Sequence, residues 1–88
     1  MKLPKLGLRQ ALVLLYITRQ EMDDGFSSAQ INHVFGDGAN AAIQALRGYK
    51  FIEPKQWANG RMVRTWEATE LGYQYANQIE KAFDIATA

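Results

Sequence analysis

The chain has 88 residues, a formal net charge of +1, one His and no Cys. Its length predicts a single domain over residues 1–88, near the lower end of the sizes that fold unaided, so a second subunit covering apolar surface would help. The lack of Cys excludes disulfides, thiolate metal sites and Cys nucleophiles, while apolar runs too short for a bilayer indicate a cytoplasmic protein without membrane contact.

The first predicted element is a helix from Leu8 to about Met22, supported by helix propensity and apolar period. The face expected to enter the core consists of Leu8, Ala11, Leu12, Leu15 and Tyr16. Val13 and Ile17 point away from that face, so they need a partner of their own. This partner is either the C-terminal helix or another subunit, and we assign both residues to a candidate dimer interface.

The second predicted helix has a complete start signal. Ser27 is the N-cap, Gln30 closes a capping box, and Phe26 packs against Ile31 as a hydrophobic staple. The helix runs to about Phe35, and Gly36 is placed to end it. The residues expected to face inward are Ile31, Val34 and Phe35.

A third helix is predicted from Ala39 to Tyr49, after a short turn in which Asp37 is the expected cap. Two short helices joined by a tight Gly-containing turn form a helix-turn-helix unit. The predicted buried stripe is Ala39, Ala42, Ile43 and Leu46. The predicted outer face is Asn40, Ala41, Gln44 and Arg47. These residue types can contact adenine, guanine and a thymine methyl group, although they are also ordinary on a polar helix surface.

A basic β-hairpin is predicted over residues 51–68. Asn59 and Gly60 suit a two-residue turn that requires positive φ at both positions, and Pro54 confines the first strand to an edge. This turn would place three pairs face to face: Trp57 with Met62, Lys55 with Arg64, and Glu53 with Trp66. An anion near the tip would relieve the repulsion between the two cations, or they splay apart into solvent.

The last predicted helix runs from Glu70 to about Ile85, within a C-terminal segment 70–86. Thr69 is its N-cap, and Glu70 lies at the positive end of the helix dipole. Its apolar stripe is Leu71, Tyr75, Ala76, Ile79, Ala82 and Phe83, which is core, dimer interface, or both. We add Tyr75, Ile79 and Phe83 to the candidate dimer interface.

Positive charge collects in the N-terminal arm and in residues 38–66, which carry Arg47, Lys50, Lys55, Arg61 and Arg64 against Glu53. Such an uneven distribution is typical of proteins that contact a phosphate backbone. The predicted fold class is mainly α with a small antiparallel β-hairpin, in the order α1-α2-α3-β-β-α4. This order is that of a winged helix-turn-helix.

The segments Trp66-Glu67-Ala68-Thr69-Glu70-Leu71-Gly72 and Leu46-Arg47-Gly48-Tyr49-Lys50-Phe51-Ile52-Glu53 resemble those around the wing of MarR-like and PadR-like winged-helix transcription regulators. The family usually has Gly where Lys50 stands. The resemblance implies a homodimer on double-stranded DNA, with helix 39–49 in the major groove and wing 51–68 on the flanking backbone or minor groove. The implied DNA-binding residues are Ser27, Ser28, Asn40, Ala41, Gln44, Arg47, Lys50, Lys55, Arg61 and Arg64.

Catalysis is not expected, because one His without a suitably spaced nucleophile or carboxylate does not make an active site. No cofactor or metal is expected either. The alternative function is a winged helix that binds protein as an adaptor or inhibitor and does not bind DNA. Trp57 would then be an interface anchor, unless it folds back on Met62.

Overall fold

A computed structural model describes residues 6–20, 24–60 and 62–87, with side chains up to residue 81. Six elements follow in chain order: α1 (Leu8–Arg19), α2 (Ser28–Phe35), α3 (Ala39–Gly48), β1 (Ile52–Trp57), β2 (Val63–Ala68) and α4 (Glu70–Thr87). The predicted class and element order are confirmed. Within the described ranges, no helix is both long and apolar enough to span a membrane.

The central helix is α1, which packs against both α3 and α4. Val13 and Ile17 are 0% and 2% exposed, whereas Leu8 is 73% exposed and Leu12 is also on the surface. The predicted core face is thus confirmed for Leu15, which is buried, and for Tyr16, which packs against the core, but it was wrong for Leu8 and Leu12. Because α1 is apolar on nearly every side, its period does not show which side two neighbouring helices will cover. Val13 and Ile17 are buried in the core of the single chain, so their side chains cannot contact a second subunit.

The predicted start of α2 is confirmed. The Gln30 backbone N–H donates to Ser27 Oγ at 3.1 Å, and Gln30 Oε1 accepts from the Ser27 N–H at 2.8 Å. Gly36 ends the helix with a φ of 84°. Val34 is exposed, contrary to prediction, because the inward stripe of this eight-residue helix is only wide enough for Ile31 and the half-buried Phe35.

The four predicted buried residues of α3, Ala39, Ala42, Ile43 and Leu46, are confirmed. The N-cap is Gly38, however, and no side chain caps the helix, so the predicted role of Asp37 was wrong. The Ala39 N–H instead donates to the Gly36 carbonyl at 3.1 Å. This backbone bond satisfies one of the free donors at the helix start and replaces a side-chain cap.

The hairpin is antiparallel, but its predicted register was wrong. Trp57 lies opposite Val63 and Gln56 opposite Thr65, while Pro54 lies opposite Trp66. The Ala58 N–H donates to the Met62 carbonyl at 2.8 Å, so residues 59–61 lie between the closing pair, one more than predicted.

The longer loop changes which side chains meet across the hairpin. Among the described residues other than Gly, Lys50 alone has a positive φ, so Asn59 does not take the conformation that a two-residue turn would need. The register skips Lys55 on β1 and Arg64 on β2. These β-bulges remove the predicted face-to-face cation pair.

The second edge of β2 is occupied by Phe26. The Trp66 N–H donates to the Phe26 carbonyl at 2.7 Å, and the Phe26 N–H donates to the Trp66 carbonyl at 2.9 Å. Both backbone groups of Trp66 therefore point away from β1. Pro54, which faces Trp66 and lacks an N–H, costs the β1–β2 ladder no hydrogen bond.

The first turn of α4 is fixed to the link between α3 and β1. Thr69 Oγ1 accepts from the Gly72 N–H at 3.0 Å and donates to the Lys50 carbonyl at 2.7 Å, which confirms Thr69 as the N-cap. The Thr69 N–H donates to the Phe51 carbonyl at 3.0 Å. A Cβ atom at Gly72 would overlap that same carbonyl. Only Gly allows the helix to approach Phe51 this closely.

We therefore expect Gly72→Ala to lower the free energy of unfolding by about 1–3 kcal/mol, because the new methyl group must push α4 away from Phe51. Gly48→Ala is the matched control, since this second helical Gly has open space around its Cβ direction. Ala at position 48 should stabilise the protein by up to about 1 kcal/mol. Urea unfolding measures both changes. Equal effects of the same sign would contradict the proposed close approach.

Candidate nucleic-acid interface

The outer face of α3 presents the predicted polar set to solvent. Asn40, Ala41, Gln44 and Arg47 are all exposed, on the side opposite the buried stripe. The spacing of 40, 44 and 47 keeps the three polar side chains on one face of the helix. None of them takes part in an ion pair within the described residues. Ala41 adds little bulk, so a flat partner can approach the helix closely.

Asn40 is held by Asn32, which is not among the residues predicted to bind DNA. Asn32 of α2 donates from Nδ2 to Asn40 Oδ1 at 3.3 Å. The two residues are eight positions apart, and their contact depends on the angle between α2 and α3. Local sequence patterns do not determine this angle, so the sequence alone does not predict that Asn32 contacts Asn40.

Trp66 joins the helix-turn-helix unit to the hairpin. Its indole N–H donates to Ser28 Oγ at 3.2 Å, and the Arg47 guanidinium carbon lies 5.4 Å from the centre of its ring. This distance is within the range of a cation–π contact. Trp66 is buried, whereas the predicted register had placed it opposite Glu53 on the ribbon. The contact brings the C-terminal end of α3 next to β2.

The two serines expected to touch phosphate both have structural partners. Ser27 Oγ caps α2, and Ser28 Oγ accepts from the Trp66 indole. Each bond uses an oxygen lone pair, so each hydroxyl proton stays available to an acceptor such as a phosphate oxygen. Both residues are half-buried rather than fully exposed.

The hairpin cations differ in how far they are neutralised. Lys55 Nζ lies 3.6 Å from Glu67 Oε2, whereas Arg64 is exposed and has no ion pair in the described part of the chain. The prediction for Arg61 falls outside the described residues. Lys55 is therefore the weaker candidate for a phosphate contact, because a carboxylate already balances its charge.

A further cation lies near the start of α3. A Cβ atom at Gly38 would overlap the guanidinium of Arg9, so the Arg9 side chain of α1 covers the turn between α2 and α3. Arg9 belongs to the positively charged N-terminal segment, and no sequence pattern connects it to α3. The fold gives α3 one cation at each end, Arg9 and Arg47.

Lys50 follows α3 with a φ of 65°, the conformation in which Gly is the usual residue. The side chain is exposed, and its carbonyl accepts from Thr69. Lys50, at the position where the regulators that the sequence resembles usually have Gly, thus takes the left-handed conformation in this chain. It adds a cation beside the hairpin at the cost of a left-handed conformation for a residue with a Cβ atom.

We expect Lys50→Gly to raise the free energy of unfolding by about 0.5–1 kcal/mol, because relief of the left-handed strain exceeds the extra freedom of Gly in the unfolded chain. Lys50→Ala removes the same charge but keeps the Cβ atom, so it should give no gain. Urea unfolding compares the three proteins. A similar gain in both variants would attribute the effect to charge instead of backbone conformation.

The chain was compared with known proteins in three ways. A scan with protein-family models, a search of curated proteins and a search of solved structures each found no match to the chain. Within the described ranges, no group of three or more His, Asp or Glu side chains is arranged to hold a metal ion. In the described part of the chain, the exposed polar face of α3 and the Arg64 side chain of the hairpin, which has no ion pair, are open to a partner.

Proposed function

We propose that the protein binds double-stranded DNA sequence-specifically, as a homodimeric transcription regulator of the winged-helix type in the cytoplasm. The observation that carries this proposal is the contact between Arg47 and Trp66. It brings the Arg47 end of the exposed polar face of α3 next to β2, the strand that carries the exposed Arg64. A helix in the major groove and a hairpin beside it would thus meet the same duplex.

The arrangement of charges supports the proposal. Arg9, Arg47, Lys50 and Arg64 form no ion pair in the described part of the chain, whereas Arg19 pairs with Glu80 at 2.8 Å where α1 meets α4. Unpaired cations gain most from a phosphate backbone, because binding releases the counterions condensed on DNA. With a net charge of only +1, we expect moderate affinity that falls steeply with salt.

The chemistry of the outer face of α3 supports sequence specificity. Asn40 and Gln44 have the paired donor and acceptor that adenine requires, and Arg47 has the two donors that guanine requires. Ala41 can contact a thymine methyl group. Each well-formed bidentate contact contributes about 1–3 kcal/mol of discrimination, so this short face has enough capacity to distinguish sequences.

A second copy of the chain would cover apolar side chains that the single chain leaves exposed on α1 and α4. Leu8 and Leu12 of α1 and Tyr73 of α4 are exposed. Tyr75 is less available, because its ring lies 4.7 Å from that of Phe51, and Ile79 is half-buried. The side chain of Phe83 lies outside the described residues. We therefore centre the proposed dimer on the exposed Leu8 and Leu12.

One observation favours the alternative function. Trp57 and Met62 are 53% and 72% exposed beside the loop of the hairpin. Trp57 thus keeps about half its surface in water, which is typical of an anchor residue for a protein partner. This reading becomes the better one if the protein does not bind duplex DNA even at low salt.

The proposal predicts that affinity for a mixed-sequence duplex falls linearly, on logarithmic axes, between about 50 and 200 mM salt. Arg64→Ala should weaken binding at every sequence and reduce the slope by about 1, since one phosphate contact is lost. Fluorescence anisotropy measures both quantities.

Arg19→Ala is the matched control for that series, because it removes an equal charge that Glu80 already neutralises. It should leave the slope unchanged. Equal effects of the two variants would mean that only net charge matters, and absence of binding at low salt would overturn the proposal.

The dimer makes a separate prediction. Leu8→Glu combined with Leu12→Glu should turn a dimer into a monomer in sedimentation experiments at micromolar concentration, because carboxylates would be buried between subunits. The fold should survive, since both leucines are exposed in the single chain. Val34→Glu, at an exposed apolar position on α2, should leave the dimer intact. A wild-type monomer, or a variant that stays dimeric, would contradict this interface.

A further inference from the structure

The hydrogen bond between Asn32 and Asn40 occupies one polar group of Asn40 and leaves the other free to contact solvent or a ligand. Asn40 Oδ1 accepts from Asn32 Nδ2. An amide oxygen has a second lone pair, and Asn40 Nδ2 makes no hydrogen bond within the described residues. A free donor and a free acceptor site therefore remain on an exposed side chain.

Asn32 itself is held in an unfavourable state. Its Oδ1 is buried and has no hydrogen-bond partner among the described residues. A buried oxygen without a partner costs free energy, and such groups in a folded protein call for an explanation. If Asn32 served only to join α2 to α3, a smaller or apolar side chain would avoid this cost.

The orientations of the two amides are coupled. Turning the Asn32 amide alone would place two oxygens against each other, and turning the Asn40 amide alone would do the same with two NH₂ groups. Turning both amides together would keep a hydrogen bond between them, but it would bury the two donors of the Asn32 NH₂ group in place of one oxygen, and unpaired buried N–H groups are the less tolerated kind. The pair therefore favours the arrangement in which Asn40 points its NH₂ group away from α2. A base that offers an acceptor beside a donor matches this arrangement, and in the major groove that base is adenine.

We infer that Asn32 is a positioning residue that sets the amide orientation of Asn40 for recognition of adenine. This inference rests on the proposed function. Asn32 contacts no base and acts through Asn40. The effect of Asn32 is preorganisation, because a side chain such as Asn40 whose orientation is already fixed loses less conformational freedom when it binds a base.

The test selects binding sites from random duplex DNA with wild type, Asn32→Ala, Asn40→Ala and the double variant. Asn32→Ala should lower the preference for adenine by roughly five- to tenfold at the base pair where Asn40→Ala also loses it, on the order of one bidentate contact. In the Asn40→Ala background, Asn32→Ala should change nothing further. The salt slope should stay as in wild type, because no phosphate contact is lost.

His33→Ala is the matched control, since His33 is the exposed neighbour of Asn32 on α2. It should leave base preferences unchanged. If Asn32→Ala keeps the adenine preference, or weakens all sequences equally, the positioning role is wrong while DNA binding stands. If wild type enriches no base at all, the proposed function fails and the specificity role fails with it.

Nuclear magnetic resonance of the free protein tests the pair without DNA. In Asn32→Ala, the two Asn40 side-chain amide protons should shift and move closer together in frequency as the amide begins to rotate. His33→Ala should leave them in place. Unchanged Asn40 resonances in Asn32→Ala would overturn the inference whatever the selection shows.

Discussion

The burial of Trp66 is the constraint on which the arrangement of this small domain depends. Its backbone pairs with Phe26 ahead of α2, its indole N–H reaches Ser28, and its ring lies beneath Arg47. One side chain thus touches α2, α3 and the hairpin together. A large aromatic residue suits this position because it combines extensive apolar area with a single polar group that must find a partner. The relative placement of helix and hairpin follows from these contacts.

A second set of contacts joins the start of α4 to the link between α3 and β1. Lys50 turns the chain in the left-handed region, and Thr69 and Gly72 hold the start of α4 against Phe51. The surface that we assign to DNA is therefore carried by regular elements whose ends are tied down. Recognition groups on such elements keep their geometry better than groups on loops. This rigidity matters most for α3, whose few polar groups would have to account for sequence preference.

The element order, the cap of α2 and the buried stripe of α3 were predictable because each depends on neighbours within a few residues. Ser27 and Gln30, for example, meet inside one helical turn. The predictions were wrong where contacts between distant parts of the chain determine which side chains are buried. The apolar sides of α1 compete for burial, and only the positions of α3 and α4 select Val13 over Leu8. At the candidate site, the exposed set on α3 was foreseeable, whereas Asn32, Arg9 and the contact of Arg47 with Trp66 depend on packing between elements.

The arrangement around Pro54 bears on how the molecule behaves at high concentration. An edge strand normally offers a row of free donors and acceptors onto which another chain can add a strand. Here one edge of β2 is taken by Phe26, and the open edge of β1 contains a residue without an N–H, followed by the Lys55 bulge. A strand from another chain that added to the β1 edge would meet a missing donor at Pro54 and a charged side chain at Lys55. The hairpin can therefore project from the domain without inviting the sheet extension that leads to fibrillar aggregates.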